Sequence, residues 1–398
     1  MNDVKLLEGV KILDLSRQLA GPFATMTMAD MGAEIIKVEP KTGDDSRAWG
    51  PFVGDESCYF WCCNRGKRSI VVDLKSEEGK NIIKKLAKEC DILIENFREG
   101  VMERLQLDYN VMKEVNPKLV YAHITGYGET GPDAKRPAVD IAIQATTGLM
   151  SITGYPDQEP VRIGISLADL ATGIFGVSAI EAAYIHALKT GKGQKVSLSL
   201  MESMVSFLTY HAQGYISTGA IPGKYGSGIQ NIEPYRVMRT VDGGVAIGVG
   251  NDTNFGRLCE VMGKPELITD ERFVRNKDRW VNRSELIPII EEFFADCKTE
   301  EIERIMVEKG IPCGALKNVG QVIESPQVEA MGMIVPVPHP KVPDLKMVRG
   351  PFVFSDASNC SQVPPPMLGQ HTDEVLRELG YSEAEISSYH ESKIVFGQ

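Results

Sequence analysis

Residues 11–40 constrain the fold of this chain more than any other stretch, because strand, tight loop, helix and strand follow one another within thirty positions. The loop carries Gln18, Leu19 and Ala20, and the mostly apolar run 35–38 forms the second strand. The pattern predicts the first β-α-β unit of a parallel sheet. A loop that opens a helix at the carboxyl end of a strand presents free backbone N–H groups, so it is a natural place for a phosphate-bearing ligand.

The dinucleotide-binding fingerprint G-x-G-x-x-G is absent from that loop, so NAD and FAD are disfavoured as ligands. Strand-like and helix-like patterns alternate as far as residue 125, which predicts an α/β fold with a Rossmann-like, mostly parallel sheet. We place this large domain in residues 1–200 and expect the C-terminal segment 331–398 to complete it. Glycine and proline mark residues 201–224 as a linker, and a hairpin signal followed by helical patterns predicts a smaller α+β domain over 225–330.

The composition narrows the classes of partner and site. The chain has 398 residues and a formal net charge of −11, which disfavours nucleic acid and an anionic membrane surface as partners. Its eight cysteines form no C-x-x-C pair and its six histidines show no metal-ligand spacing, so we expect no metal site. This cysteine usage and the charged N-terminal segment indicate a cytoplasmic protein. The apolar run 165–187 contains Asp169 and Glu181, which favours a buried core helix over a membrane span.

Asp169 is the most informative single position, because it opens an otherwise apolar helix. An aspartate at a helix N-terminus commonly serves only as a cap or as a partner of the helix dipole. It can also act as a nucleophile, since with an ordinary pKa of about 3.9 it is ionised at neutral pH and needs no separate base. Carboxylates form covalent acyl intermediates, and the small neighbours Ala168, Ala171 and Gly173 leave room for a thioester.

Short motifs are spread over most of the chain, at residues 20–22, 31–39, 65–75, 95–98, 125–132, 310–312 and 365–372. Each is weak alone, but their order and spacing together resemble the class III coenzyme A (CoA) transferases, the CaiB/BaiF family. In that family the catalytic residue is an aspartate, followed four residues later by a glycine, at the start of this helix. Asp169 and Gly173 match that pattern.

The resemblance implies transfer of CoA from an acyl-CoA donor to a carboxylic acid. The Asp169 carboxylate would attack the donor thioester to form a mixed anhydride, and the released CoA thiolate would convert that anhydride into an aspartyl-CoA thioester. The acceptor carboxylate would then collect the CoA through a second anhydride. CoA is thus a substrate rather than a permanently bound cofactor, and neither ATP nor a metal is needed. Family members are interlocked dimers, so we expect a homodimer.

The resemblance also assigns residues to CoA binding at consecutive strand ends, where a single lysine or arginine would otherwise be taken for a solvated surface charge. Asp140 is expected to support the active site. Gly248 and Gly250 are expected to form a mobile cover over it, although this chain lacks the run of consecutive glycines that some members have there. The positions that match CoA contacts are Gln18, Leu19, Ala20, Val72, Lys75, Asn96, Phe97, Arg98 and Arg104, and the further candidates Lys41 and Lys135 lie beside matching positions.

Two other functions stay open. α-Methylacyl-CoA racemases belong to the same superfamily, but where they carry a Gly-His-Asp motif this chain has Ala138, Val139 and Asp140, and valine cannot carry a proton. The second alternative is a non-catalytic CoA-binding protein, a sensor of CoA or of a nucleotide. Retained binding with loss of turnover in Asp169→Ala would exclude this sensor.

The substrate acids are suggested by two segments, 231–235 and 249–252, which resemble the branch of the family that handles short dicarboxylic and hydroxy acids. Succinyl-CoA and acetyl-CoA are then the expected donors. Carnitine, aryl hydroxy acids and bile acids stay open as alternative substrates. An acceptor carboxylate needs a local hydrogen-bond donor or cation, for which Arg17, Gln144 and Arg236 are candidates by position only.

Overall fold

The computed structural model describes residues 4–397, which divide into two compact units. The first unit comprises the described residues up to 147, residues 164–212 and the residues from 327 onward. The second unit comprises residues 148–163 and 213–326. The sequence-based division had placed residues 148–163 in the large domain, but an antiparallel bridge between Gly154 and Gly226 ties this segment to the second unit.

Strands and helices alternate along the first part of the chain, as the sequence predicts. In chain order the strands are β1 (Lys11–Asp14), β2 (Glu34–Glu39), β3 (Phe52–Val53), β4 (Glu56–Ser57), β5 (Lys67–Val72), β6 (Ile92–Glu95), β7 (Val120–Thr125), β8 (Lys195–Ser199), β9 (Tyr235–Thr240), β10 (Gly243–Gly248), β11 (Cys313–Ala315), β12 (Ile334–Pro336), β13 (Lys346–Val348) and β14 (Val395–Phe396). The α-helices are α1 (Ala20–Asp30), α2 (Cys58–Trp61), α3 (Glu77–Glu89), α4 (Val101–Leu105), α5 (Tyr109–Val115), α6 (Asp140–Thr146), α7 (Leu167–Thr190), α8 (Leu200–Phe207), α9 (Thr209–Thr218), α10 (Asp252–Val261), α11 (Asn276–Val281), α12 (Arg283–Ala295), α13 (Thr299–Glu308), α14 (Val319–Ile323), α15 (Pro326–Ala330), α16 (Thr372–Glu378) and α17 (Glu383–Glu391).

The first unit is built on a seven-stranded sheet in the order β14-β5-β2-β1-β6-β7-β8. All neighbouring strands are parallel except β14, which pairs antiparallel with β5, so the predicted mostly parallel sheet is confirmed. Without β14, the order is that of a doubly wound dinucleotide-binding sheet, in which the winding reverses between β1 and β6. Ligands of such folds bind at the carboxyl ends of the strands beside this switch point.

The core of the first unit lies between this sheet and its helices. Apolar runs such as 92–94 are buried because parallel strands are covered on both faces. Helix α3 begins at Ser76, whose hydroxyl accepts a hydrogen bond from Gly79 N (3.0 Å), and it buries Ile82 and Ile83 in the same cluster as Leu93. Helices α1 and α7 pack against each other, and α7 also contacts β7.

The second unit contains a three-stranded antiparallel sheet in the order β11-β10-β9. Strands β9 and β10 form the hairpin predicted at residues 242–244. Helices α10, α12 and α13 supply the rest of its core, in which Leu258, Leu286 and Met306 are fully buried.

The segment 201–224, predicted as a linker, is helical over most of its length. It contains most of α8 and the whole of α9. A single glycine inside a helix costs only about 1 kcal/mol, so Gly214 does not interrupt α9. Gly219 instead ends that helix at a φ of +72°, where its N–H donates to Tyr215 O (2.8 Å).

Among the described residues, α7 alone is long and apolar enough to pass a length-and-composition test for a membrane span. Core helices of soluble proteins pass the same test. One face of α7 is buried, with Ala171, Val177 and Ile180 inside, and the opposite face is exposed. The buried face packs on α1 and β7, as expected of a core helix.

The packing of the central layer can be tested with Leu93→Ala, because Leu93 in β6 is fully buried. We expect the free energy of unfolding to fall by about 2–5 kcal/mol, since apolar contact is lost and a cavity remains. The control Leu6→Ala removes the same atoms from a side chain that is 52% exposed. It should cost less than about 0.5 kcal/mol. Urea denaturation followed by circular dichroism measures both, and equal losses would contradict this description of the core.

Candidate active site

The loops after β1 and β6 meet at the switch point of the first unit's sheet and line a cavity of about 680 Å³. Two hydrogen bonds join these loops: Arg17 N donates to Asn96 Oδ1 (2.9 Å) and Asn96 Nδ2 donates to Arg17 O (2.9 Å). Residues that the sequence placed far apart are thereby brought together. The predicted site residues that line this first cavity are Gln18, Leu19, Ala20, Asn96, Phe97, Arg98, Arg104, Lys135, Asp140 and Asp169.

A second cavity, of about 540 Å³, adjoins the first. Arg17, Phe97 and Val101 line both cavities, so the two share a wall. The remaining positions assigned to CoA binding line this second cavity; they are Lys41, Val72 and Lys75.

Gly248 and Gly250 belong to the second unit, where Gly248 ends β10 and Gly250 precedes α10. A Cβ on Gly250 would lie 2.7 Å from Ile232 Cγ2, so local packing already requires a glycine there. Their expected role as an active-site cover stays a prediction. Arg236, one candidate for the acceptor carboxylate, also lies in the second unit and forms an ion pair with Glu233.

Gln18, in the loop after β1, is held in the left-handed region at a φ of +65°. This conformation costs a non-glycine residue about 1–2 kcal/mol, and Asp44 compensates because both of its carboxylate oxygens accept from Gln18 N (3.0 and 3.2 Å). Burial raises the pKa of Asp44, but the ion pair with buried Lys37 (2.8 Å) and further hydrogen bonds lower it to about 2. Asp44 therefore stays ionised and holds the loop at neutral pH.

A second buried ion pair, between Lys67 and Asp14 (3.1 Å), lies beneath the same loop. Asp14 accepts from Ser16 N (2.9 Å), and Lys37 Nζ donates to Ser16 O (2.9 Å). Lys67 Nζ also donates to Pro22 O (2.9 Å) in the first turn of α1. The two lysines thus fix the backbone on either side of the residues that line the first cavity.

Asp169 reaches the first cavity from the first turn of α7. One turn later, a Cβ built on Gly173 would lie 2.8 Å from Ala20 O, so only a glycine lets α7 pack this closely against the start of α1. The spacing of Asp169 and Gly173 therefore has a physical reason. The glycine brings the helix N-terminus up to the loop that lines the cavity.

Asp140 supports the start of α7 rather than a ligand. Its Oδ1 accepts from Ala168 N (2.9 Å), and its Oδ2 accepts from Gln144 Nε2 (2.8 Å). Burial, and then the nearby Asp140 carboxylate, raise the pKa of Asp169 to about 7. At neutral pH the Asp169 carboxyl is therefore less readily ionised than an ordinary aspartate.

Trp49, Tyr59 and Ser166 also line the first cavity, although the sequence analysis did not single them out. The rings of Trp49 and Tyr59 meet edge to face, with 5.1 Å between their centroids. Trp49 follows a short 3-10 helix at residues 45–48, and Tyr59 lies in α2, just after β4. The only signal in the sequence is a pair of aromatic residues downstream of the second predicted strand, and such pairs are common in cores.

The described residues contain no group of three or more His, Cys, Asp and Glu side chains that could hold a metal ion. All eight cysteines are free thiols.

Comparison with known proteins identifies the family. The model of CoA-transferase family III matches residues 7–372. The human succinyl-CoA:glutarate CoA-transferase is 42% identical over 382 residues, which are 95% of this chain and 87% of that protein. The succinate–glutarate CoA-transferase of Agrobacterium fabrum is 39% identical over 381 residues, 94% of this chain and 95% of that protein.

A solved CaiB/BaiF family protein from Brucella suis superimposes with a TM-score of 0.85 at 39% identity, covering 95% of this chain and all of that one. An α/β protein with a carboxylate at the switch point of its sheet, and with matches along nearly its whole length, belongs to a defined class of enzymes. The chain is a member of CoA-transferase family III. The resemblance found in the sequence is confirmed.

Replacing Asp169 by asparagine removes a carboxyl group whose charged form is destabilised in the folded protein. Its pKa rises from an ordinary 3.8 to about 7, so its contribution to stability is complete below about pH 4 and is lost as the pH rises through 7. We expect Asp169→Asn to raise the free energy of unfolding by about 1–3 kcal/mol near pH 8, allowing for partial exposure, and to change it little near pH 4. Urea denaturation at both pH values measures this difference.

The control for that experiment is Asp356→Asn, at an exposed position of the same unit. It should change the stability by less than about 0.5 kcal/mol at either pH. If Asp169→Asn were equally neutral near pH 8, the described burial of the Asp169 charge would be wrong.

Proposed function

We propose that this protein transfers CoA from succinyl-CoA to a short dicarboxylic acid, with Asp169 as the nucleophile. The observation that supports this most directly is a partly buried carboxylate in a cavity that also presents several cations. The substrates named in the human and Agrobacterium relatives, succinate and glutarate, support the class of acid. Acetyl-CoA remains the alternative donor.

The two adjoining cavities suit the two ends of CoA. In the second cavity, Lys41 and Lys75 offer cations to the phosphates of the nucleotide, and Val72 and Phe396 offer apolar surface to the adenine. Lys41 Nζ lies 4.8 Å from the centre of the Phe396 ring, so charge and apolar surface are close together.

The first cavity receives the thioester end. Phe97 and Val101 line both cavities, so the pantetheine arm would pass beside them on its way to Asp169. The net charge of the chain is −11, so a polyanionic ligand needs local positive charge. The cations that line this cavity and serve that purpose are Arg17, Arg98, Arg104, Lys135 and Arg136.

The chemistry needs only the carboxylate of Asp169 and the thiol of CoA. Ionised Asp169 attacks the donor carbonyl, the C–S bond breaks, and CoA leaves as a thiolate. The thiolate attacks the aspartyl carbonyl of the mixed anhydride, so that succinate leaves with one aspartyl oxygen and an aspartyl-CoA thioester remains. The acceptor carboxylate then attacks the carbonyl carbon of the aspartyl-CoA thioester, the C–S bond breaks, and a second anhydride forms with release of the CoA thiolate. The thiolate attacks the acceptor's acyl carbon in this anhydride, so that the new acyl-CoA forms and Asp169 leaves as a carboxylate with one oxygen from the acceptor.

Arg17 is the candidate that we favour for binding the second carboxylate of the acid. Its Nε is buried and has no hydrogen-bond partner among the described residues, and its guanidinium lies 5.1 Å from the centre of the Phe97 ring. A buried donor without a partner is costly, and a carboxylate would satisfy it. Gln144 is less suited, because it already donates to Asp140.

The racemase alternative gains no support from the first cavity. A racemase needs an acid and a base on opposite sides of the carbon next to the thioester. Val139 lines the cavity at the position where racemases carry the histidine, and its side chain is 57% exposed and cannot transfer a proton. A non-catalytic CoA sensor would have no need for a carboxylate with a perturbed pKa in this cavity.

We further propose that the protein is an interlocked homodimer in the cytoplasm. The exposed face of α7 and α8 carries apolar side chains that a partner would cover: Ile174, Phe175, Ile185, Leu188, Val205 and Phe207. Light scattering should give twice the chain mass of 43.8 kDa, unchanged on dilution. A mass equal to one chain would contradict the dimer.

The proposed transfer is tested by incubating the wild type and Asp169→Ala in heavy water with succinyl-CoA and a panel of carboxylic acids. Mass spectrometry should show new acyl-CoA species with the wild type, glutaryl-CoA among them. With Asp169→Ala we expect a rate at least about 10³-fold lower, because the covalent route is lost. Isothermal titration calorimetry should show that this variant still binds CoA.

The other outcomes separate the alternatives. Deuterium entering a 2-methylacyl-CoA without formation of any new thioester would establish the racemase. CoA binding without any new thioester and without deuterium uptake would support the non-catalytic CoA sensor. Hydroxylamine added during turnover should convert the aspartyl-CoA thioester into a hydroxamate at Asp169, which peptide mapping would locate.

A further inference from the structure

His123 lies on β7, behind the first cavity, and its ring connects two loops that line that cavity. Its Nδ1 is 2.7 Å from Glu129 Oε1, and its Nε2 is 3.4 Å from the carbonyl oxygen of Phe97. The side chain is buried and lines neither the first nor the second cavity. A histidine bound to backbone on one side and to a carboxylate on the other is placed to hold structure rather than substrate.

Both loops carry proposed CoA contacts. Residues 96–98 follow β6 and line the first cavity, and Phe97 also lines the second. Residues 134–136, in the loop that contains Glu129, line the first cavity from the side of β7. We propose that His123 is a positioning residue, which fixes these two loops relative to each other and thereby sets the affinity for CoA. The proposal rests on the CoA-binding role of the cavities argued above.

The hydrogen-bonding chemistry makes this connection depend on protons. A backbone carbonyl and an ionised carboxylate can only accept, so the ring contacts both partners favourably only when both of its nitrogens carry a proton. When the ring loses one proton, the lone pair of the deprotonated nitrogen faces a lone pair of either the Phe97 carbonyl oxygen or the Glu129 carboxylate. The connection between the two loops is therefore complete in the imidazolium form and incomplete in the neutral form.

Acidic groups lie on both sides of the ring. Glu129 Oε1 also accepts from Lys195 Nζ (2.6 Å) and Ser197 Oγ (2.7 Å) of β8. Burial raises the pKa of Glu129, but its hydrogen bonds to Lys195, Ser197 and His123 lower it to about 2, so Glu129 is ionised at any pH of interest. His123 thus has a permanent anion at Nδ1.

Glu95 faces the other nitrogen. It ends β6 just before the loop, its Oε1 lies 3.6 Å from His123 Nε2, and its Oε2 accepts from Phe97 N (2.8 Å). Tyr121 OH, also on β7, donates to Oε1 (3.2 Å). Burial raises the pKa of Glu95 to about 7, while His123 opposes the shift. The other charged side chains around the same small gap are Arg98, Glu103, Asp108 and Lys195.

The test measures binding of CoA itself by isothermal titration calorimetry, with the wild type, His123→Gln and a control. The wild-type ring contacts both loops, and glutamine cannot span both contacts. We expect His123→Gln to weaken CoA binding about 5- to 10-fold near pH 6. The difference between wild type and variant should be smaller near pH 9, because fewer protons are available for the form of the ring that donates to both loops.

The control is His390→Gln. His390 Nε2 lies 2.7 Å from Asp373 Oδ1, a histidine–carboxylate contact of the same length, and neither residue lines the cavities. CoA affinity should be unchanged in this variant at both pH values. An equal loss in His390→Gln, an unchanged affinity in His123→Gln, or a loss that is the same near pH 6 and pH 9 would each overturn the positioning role.

A second variant guards against misfolding, because His123 is buried and its replacement could unfold the first unit. Glu129 is 27% exposed, and Glu129→Gln breaks the same connection from its outer end. We expect a loss of CoA affinity in the same direction, with a native circular dichroism spectrum. If Glu129→Gln folded and bound CoA as tightly as the wild type, the proposal would fail. Since CoA binding needs no transfer, absence of acyl transfer in the wild type would contradict the proposed function and leave this test unaffected.

Discussion

The candidate site depends on a layer of buried charge beneath the loop after β1. Lys37 with Asp44 and Lys67 with Asp14 form ion pairs whose side chains are fully inaccessible to water. Removing one partner of such a pair typically costs about 3–5 kcal/mol, because the other charge is left buried alone. The pairs hold Gln18 in an unfavourable backbone conformation and fix the start of α1. The two buried ion pairs therefore fix the shape of the first cavity, and they do so without a ligand.

The same surroundings bear on the proposed role of Asp169 as a nucleophile. Burial beside Asp140 disfavours the charge on Asp169 and raises its pKa. The carboxylate is thereby more reactive when ionised than an exposed aspartate would be. The buried charge of Asp169 lowers the stability of the fold, and such a loss is common at active sites. Asp140 contributes twice, because it also holds the first turn of α7 through Ala168 N.

Local patterns in the sequence predicted those features that depend on neighbouring residues. The alternation of strand and helix through residues 11–40, and the glycine one turn after Asp169, both correspond to what the structure shows. The helix α9 was missed because Gly214 within it and Gly219 after it are residue types typical of a linker. Local pattern cannot show the pKa of Asp169, which depends on burial and on the packing of α6 beside α7.

Contacts between residues that are distant in the sequence could not be predicted for the same reason. Lys37 and Lys67 look like ordinary exposed charges at strand positions, and only the fold pairs them with Asp44 and Asp14. His123, one of six histidines without metal-ligand spacing, has partners from the loop after β6 and from the loop after β7. Pairings between distant residues are set by the tertiary fold, and no spacing rule within one segment encodes them.

The close approach of Gly173 to Ala20 has a consequence for how substrates compete. Close packing of α7 on α1 holds the first turn of α7 beside the start of α1. In the proposed mechanism every acyl group then comes to the same point beside the Asp169 carboxylate, whether it arrives as donor or as acceptor. The same cavity walls then contact both the incoming and the outgoing acid. The net direction of CoA transfer is then set by the concentrations of the acids and their thioesters rather than by the protein.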